Sequence, residues 1–370
     1  MSVRSIKDWK PVTRVRNWYA RFERPISSLS LVGGFVFDAL TLQRVDMPWE
    51  NFWVVVHLVI VGTCIILINR QDVDIAEAKD PAQYHFWLVN ILQFFFGGLL
   101  STYLVFYFRS TDLLVSWPFI FLLGLAFLAN ERFKKQYTRL SFQIVLFYLC
   151  IFAFAIFLVP VVLRQIGPYI FIISGLVSLA CMALFLRLLK HFTAAKVEKN
   201  RRVILLSIGL LFVLFNVLYF NDFIPPIPLS LKDSGVYHTI ERDPTGDYVL
   251  GHEETHWYDF FNLYPDFHAS TTDPVYVYSA IFSPPQFDTN IIHKWQYYNA
   301  AEKKWIREGN ISLLVAGGRD GGFRTYSVKY GLIPGLWRVD VETDSGQTIG
   351  TVRFNVVDTP LTTPLETEIK

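Results

Sequence analysis

The sequence predicts an α-helical transmembrane bundle of about seven spans followed by an all-β, Ig-like antiparallel sandwich. Three observations lead there. Seven apolar stretches occupy residues up to 220, near 29–45, 52–69, 86–108, 113–130, 140–163, 168–186 and 203–220. Lys and Arg fall almost entirely in alternate segments between them. From residue 232 the helical periodicity is lost and period-two alternation takes over, the mark of half-buried strands.

A membrane span needs about 20 apolar residues, roughly 17 at the short end, and most of these stretches qualify. The first is the weakest, because it carries Gly33, Gly34 and Asp38; read as a re-entrant or surface segment it would leave six spans. Charge parity favours seven. Segments at one side hold nineteen Lys and Arg, including Arg4, Lys79, Arg132, Lys190 and Arg202, against Arg44, Arg109 and Arg164 at the other. Basic residues near spans are retained on the cytoplasmic side, so the N-terminus is expected inside and everything after residue 220 outside. The basic segment 1–25 spaces Trp9, Val12, Val15, Trp18 and Phe22 at helical intervals; a surface helix on anionic lipid and a plain solvated tail are both open.

With 52% apolar and 16% aromatic residues, the chain is too apolar for an ordinary soluble protein. The net charge of +2 is a topology signal and gives no reason to expect nucleic acid; the lipid bilayer is the expected environment. Cys64, Cys150 and Cys181 all lie in the apolar stretches and read as packing residues, so the exported part is expected to hold together without disulfides.

The expected domains are a basic segment at 1–25, a bundle at 26–221, a connector at 222–231, a sandwich at 232–358 and a disordered tail at 359–370. Pro225, Pro226 and Pro228 make the connector a stiff spacer that would hold the sandwich at a set distance from the bilayer. In the sandwich, alternation marks strands near 275–281, 291–298, 311–316, 323–330, 337–342 and 351–356, separated by Gly-, Pro- and Asn-rich turns. One face of each strand should be buried and the other wet.

HKWQYY (293–298), GGRDGGFRTYS (317–327) and PGLWRVDVETDSGQTIGTVRFNV (334–356) resemble a bacterial family, domain of unknown function 2914. GFVFDALTLQRVD (34–46) and IPPIPLSLKDSGVY (224–237) resemble members in which that domain follows a multi-span region. The resemblance implies a bacterial inner membrane with the sandwich in the periplasm, and it carries no activity or catalytic residues.

Candidate chemistry is sparse. His252-Glu253-Glu254-Thr255-His256 satisfies H-E-x-x-H, which on a helix holds zinc between His252 and His256 with Glu253 as base. Gly251 precedes it and no amphipathic helix surrounds it, so an exposed polar turn is the preferred reading. The loop Gly317–Gly322 presents Arg319 and Asp320; an anion contact and a simple hairpin between 311–316 and 323–330 compete, the hairpin being favoured. His293, Arg324, Tyr326 and Arg338, with Trp295 and Trp337, form a candidate patch for a glycan, peptide or protein, although both tryptophans fall on core-facing alternations. Within the spans Asp38, His57, Asn90, Gln93, Gln143 and Asn216 are polar. An ionisable group there is a functional candidate by default, and Asp38 is the strongest.

No cofactor is expected, since there is no nucleotide- or phosphate-binding motif. The expected role is non-enzymatic: an anchored sandwich that binds an envelope protein or glycan. A small-solute or lipid transporter or sensor using Asp38, and a zinc hydrolase through His252, Glu253 and His256, remain alternatives.

Overall fold

The computed structural model describes residues 33–42, 47–74, 81–110, 113–132, 136–137, 139–244, 246–254, 262–285, 287–317, 321–358 and 365–370. A helical N-terminal region leads into a β-rich C-terminal domain. The helices are α1 (33–41), α2 (Pro48–Asp74), α3 (Pro81–Arg109), α4 (Leu113–Arg132), α5 (Leu140–Leu163) and α6 (Pro168–Phe220). Pro48, Pro81 and Pro168 open their helices, where the missing N–H costs nothing and φ is already helical. Pro48–Arg70, Trp87–Phe108, Leu140–Leu163 and Pro168–Phe220 are long and apolar enough to cross a membrane, and Val115–Asn130 is a shorter apolar helix.

Helix α6 is two helices in one run. Thr193 has non-helical angles, φ −145° and ψ 54°. Phe171 and Tyr219, near its two ends, stack with ring centroids 3.7 Å apart, where a straight helix would hold them about 70 Å apart. The chain therefore doubles back at Thr193. The stretches near 168–186 and 203–220 are the arms of this hairpin, and the basic run from Arg187 to Arg202 is its tip.

The chain divides into two compact units, one of Met1–Phe106, Phe121–Phe154 and Ser178–Leu211, the other of Tyr107–Ile120, Ala155–Val177 and Phe212–Lys370. In the first, amides join helices: Asn69 donates to Gln143 at 2.7 Å, and Gln93 and Asn130 each donate to the other's backbone carbonyl. A buried amide without a partner is costly, so these pairs fix which helix faces meet.

The second unit holds the β-rich domain. Its strands are β1 (Ser230–Tyr237), β2 (Thr239–Arg242), β3 (Tyr248–His252), β4 (Asp266–His268), β5 (Val275–Phe282), β6 (Thr289–Asn299), β7 (Lys304–Val315), β8 (Phe323–Lys329), β9 (Gly335–Thr343), β10 (Thr348–Val357) and β11 (Glu366–Ile369). They form sheets ordered β1-β5-β8, β4-β10-β9-β6-β7 and β11-β3-β2. The pairings are antiparallel apart from β4 with β10. Val275 and Val277 of β5 meet Trp295, Trp337, Val339, Val352 and Phe354 of the five-stranded sheet in one core cluster. Trp295 and Trp337 are 0% and 1% exposed.

Four expectations are corrected. The outer face of β5 is not wet: Tyr278 and Ala280 pack with Tyr237 and Leu250 beneath the small third sheet. The tail is not wholly disordered, because Glu366–Ile369 pairs antiparallel with β3, Glu366 opposite His252; Lys370 extends this by exchanging backbone hydrogen bonds with Tyr248. The connector is not an exposed spacer. Ile224, Ile227 and Leu229 are buried, turns close from Ile227 to Pro225 and from Leu229 to Pro226, and Ser230 already belongs to β1. Finally, residues 317–322 do not make a hairpin, since β7 pairs with β6 while β8 pairs with β5. The segment crosses from one sheet to the other.

That crossing needs its glycines. A Cβ on Gly317 would lie 1.9 Å from the Pro284 carbonyl oxygen, and Gly322 has φ +88° with Ala280 backbone 2.9 Å from where its Cβ would be. Gly321 has open space. Gly317→Ala and Gly322→Ala should each destabilise the domain by about 1–3 kcal/mol or more, while Gly321→Ala should leave its thermal unfolding nearly unchanged. Equal melting shifts in all three variants would contradict the crossover.

Candidate functional site

The residues expected to form one patch are divided among three environments. His293 is 0% exposed and lies in the core, its Nε2 2.9 Å from Ser279 Oγ and its Nδ1 2.8 Å from Ser327 Oγ. Trp295 Nε1 donates to the same Ser327 oxygen at 3.1 Å. A neutral imidazole offers one donor and one acceptor and so pairs with both serines. Burial pulls the His293 pKa down to about 4. This histidine joins the two large sheets from inside and is not a surface group, contrary to its place in the candidate patch.

Arg324 and Tyr326 lie on β8. Arg324 forms an ion pair with Asp247 at 2.9 Å and donates to the Lys370 carbonyl, so it helps fasten the third sheet. Its pKa is raised chiefly by the Asp247 hydrogen bond. Tyr326 meets the rings of Tyr248 and Tyr276.

Arg338 is on β9, in the five-stranded sheet. Its guanidinium lies 4.5 Å over the Trp305 ring and donates to Gln296 Oε1 at 2.9 Å. Gln296 in turn donates to Asp340 at 2.7 Å, and Thr351 does so at 3.0 Å. Tyr298 and Tyr264 lie beside the same indole. Trp305 was not singled out by the alternation pattern, because it precedes the part of β7 in which that pattern is clear. Arg319 and Asp320 lie outside the described residues.

His252 ends strand β3, so the helical H-E-x-x-H arrangement is not formed here; His256 lies outside the described residues. In a strand, neighbouring side chains point to opposite faces. His252 Nδ1 donates to the Glu253 carbonyl at 2.7 Å. The Glu253 carboxylate instead gathers three donors: His238 Nε2 at 3.0 Å, His268 Nδ1 at 2.8 Å and the His268 backbone N–H at 2.7 Å. Burial pushes the Glu253 carboxyl up, but these hydrogen bonds outweigh it and hold the group below the usual glutamate range. The cluster ties the β1–β2 corner to β4, with His238 stacked on Phe267. Among the described residues no group of three or more His, Cys, Asp or Glu could hold a metal ion.

The intramembrane candidates separate as well. Gln93 is taken up by its amide pair with Asn130, and Asn90 is half-buried on α3. Asp38 on α1 lines a cavity of about 420 Å³ in the first unit together with Thr41, Glu50, Trp53 and His57. Ser101 and His57 lie near the Asp38 carboxylate. That volume lies in the range of small-molecule sites, as does the combination of apolar walls with a few converging polar groups.

Residues 288–356 match the family model described as Protein of unknown function (DUF2914), so the C-terminal domain carries that family's pattern from Asp288, just before β6, almost to the end of β10. No curated protein matches the chain. Among solved structures, a Pseudomonas fluorescens alkylpurine DNA glycosylase, AlkC, bound to DNA containing an abasic site analog, is similar at 10% identity and a TM-score of 0.21, covering 85% of this chain and 99% of its own. A likeness at that score carries no argument.

The His293 environment makes a pH prediction. Its folded pKa lies below the ordinary histidine value, so the unfolded chain takes up a proton that the folded one refuses. Stability should therefore be unaffected by this group above about pH 6.5 and fall as pH drops toward about 4. Thermal unfolding of His293→Asn should show a loss of about 1–3 kcal/mol at pH 7 from an unpaired buried partner, and a flatter dependence across that interval than the parent. An unchanged slope would remove His293 as its source.

Proposed function

We propose that this is a multi-pass protein of a bacterial inner membrane, with seven spans, a cytoplasmic N-terminus and an Ig-like sandwich in the periplasm, and that the sandwich is a non-enzymatic binding module for an envelope protein or glycan. The charge asymmetry of the loops and the resemblance of the C-terminal domain support the placement. The binding role rests on one observation: Trp305, with Tyr298, Tyr264 and Arg338 beside it, makes an aromatic and guanidinium face next to Gln296 and Asp340. Aromatic side chains give large contact area at low entropic cost, and with arginine they dominate recognition surfaces. Gln296 and Asp340, buried beneath this face, hold the Arg338 guanidinium in place through their hydrogen-bond chain.

A second reading is favoured by the cavity at Asp38. A partly open cavity with ionisable walls on these helices is more than an anchor requires, and it suits handling or sensing of a small solute or a lipid headgroup.

Two measurements test the first reading. In a cysteine-free background, Asn299→Cys should react with a membrane-impermeant maleimide in intact cells and Lys199→Cys should not; the reverse pattern would invert the topology. Retention of the detergent-solubilised chain on insoluble envelope polymer, or photocrosslinking to an envelope protein from a probe at the neighbouring exposed residue 304, should fall about tenfold or more in Trp305→Ala and Arg338→Ala. Retention and crosslinking that these substitutions leave unaltered would remove the Trp305 face as the binding surface.

A further inference from the structure

We propose that the edge of β3 is a peptide-binding groove for an extended, lysine-bearing segment of a partner protein, and that the chain's own residues 365–370 fill it as a resident competitor. The groove shares no residue with the Trp305 face. The observation that carries it is the way Lys370 is held. Its Nζ lies 2.5 Å from Asp233 Oδ2, 3.0 Å from the Tyr237 hydroxyl and 3.3 Å from Glu368 Oε2. A lysine ammonium has three N–H donors and no acceptor, so each donor has an oxygen to meet. The Tyr237 and Tyr278 rings lie 5.7 and 5.5 Å from the same nitrogen, within cation–π range. Burial opposes the charge, but the hydrogen bonds to Asp233 and Tyr237 outweigh it and raise the Lys370 pKa.

The segment is gripped at its two ends and along its backbone. Glu366, Thr367, Glu368 and Ile369 are exposed, whereas Leu365 and Lys370 are half-buried. Leu365 Cδ1 lies 3.4 Å from where a Cβ on Gly251 would be. The ladder sets Glu366 opposite His252 and Ile369 opposite Val249. Lys370 exchanges backbone hydrogen bonds with Tyr248, and Arg324 donates to its carbonyl. Main-chain pairing with side-chain anchors at fixed offsets is how strand addition recognises a peptide. With its four side chains exposed, β11 gains little from burial of apolar surface, and segments of that kind open locally at low cost.

The walls of the groove have partners of their own. Tyr237, Leu250, Tyr278 and Ala280 form a separate core cluster, β3 pairs with β2 along its other edge, and Arg324 is ion-paired with Asp247. When the resident segment leaves, the groove presents an unpaired strand edge with an apolar spot over Gly251 at one end. At the other end, Asp233 and two tyrosine rings await an ammonium. The matching ligand is an extended segment with an apolar residue followed five positions later by lysine, the spacing of Leu365 and Lys370. A carboxylate in the lysine position would face Asp233 and meet like charge.

The test uses the full chain in detergent and a fluorescein-labelled peptide, Leu-Glu-Thr-Glu-Ile-Lys, followed by anisotropy. Glu368→Pro should release the resident segment, because proline removes a ladder hydrogen bond. The peptide should bind this variant saturably, and about tenfold or more tighter than it binds the parent chain. Norleucine in place of the peptide's lysine should weaken binding about tenfold, as should Asp233→Asn added to Glu368→Pro, since hydrogen bonds to charged groups are the strong ones. Near-ultraviolet circular dichroism checks folding. A second measurement keeps the resident segment and so decides the matter if Glu368→Pro does not fold. Lys370 and Tyr248 exchange hydrogen bonds, so the adjacent pair of Ile369 with Val249 is a non-hydrogen-bonded one, where side chains come closest. In a cysteine-free background, Val249→Cys should therefore form a mixed disulfide with Leu-Glu-Thr-Glu-Cys-Lys about tenfold faster than with the norleucine counterpart. Co-expressed Val249→Cys and Ile369→Cys chains should not cross-link to each other; a link would make a second copy the occupant and overturn the assignment to a partner protein. A folded Glu368→Pro chain that binds no peptide, or lysine and norleucine peptides that bind or cross-link alike, would overturn the groove itself.

Discussion

The second unit depends on a seam where helix ends meet sheet turns. Phe171 and Tyr219 lie ring on ring, and the Tyr219 hydroxyl donates to Gln347 Oε1 at 3.1 Å, in the turn between β9 and β10. Ile166, in the link between α5 and α6, packs against the cluster containing Leu229, Ile281, Val341 and Ile349. Removing these residues from water supplies the driving force, and the Tyr219–Gln347 hydrogen bond selects the orientation. Beside the seam, Asp222 has φ 60°, a left-handed angle that Asp tolerates better than most side chains; this turns the chain off the end of α6. Burial raises the Asp222 carboxyl, and Lys294 opposes that shift. Lys294 also forms an ion pair with Glu342 at 2.9 Å, so one ammonium on β6 serves two acids.

Inside the domain, two polar clusters are held by their own hydrogen bonds. His293 bridges two serines on the adjacent strands β5 and β8, and Glu253 collects donors from two histidines. Both arrangements weaken in acid, for different reasons. His293 loses stability as pH falls because its folded pKa is depressed. Glu253 contributes stability above its unfolded pKa and loses it as pH falls through its lower folded value.

Much of this architecture was legible in the sequence, and the misses have physical causes. Apolar runs and the charge pattern identified the helical region and the two arms of the α6 hairpin, since hydropathy and basic loops act over tens of residues. Alternation identified β5, β6, β8, β9 and β10 because each packs one face into the common core. Strands β1, β2, β3, β4 and β11 escaped: β1 carries Lys232, Asp233, Ser234 and Gly235 in its middle, and the others are too short or too polar for alternation to register; Glu366–Ile369 becomes a strand because β3 offers it an edge. The binding patch failed for a related reason. His293 and Arg338 alternate like surface and core residues alike, and only the pairing of sheets decides which face each takes. The H-E-x-x-H spacing was misleading because it presupposes a helix where β3 supplies a strand. Asp38 was legible as a costly intramembrane charge, but the cavity beside it was not, since that depends on how α1, α2 and α3 pack.

The absence of slack between α6 and β1 has a mechanical consequence. A flexible linker would absorb rotation of the helix that precedes it. Here residues 224–229 are folded into buried turns, Tyr219 is tied to the β9–β10 turn, and β1 starts at Ser230. A twist of the 212–220 segment about its own axis therefore acts like a torque on a keyed shaft. It reaches β1 through the backbone and β9 and β10 through Gln347, turning both sheets as one piece.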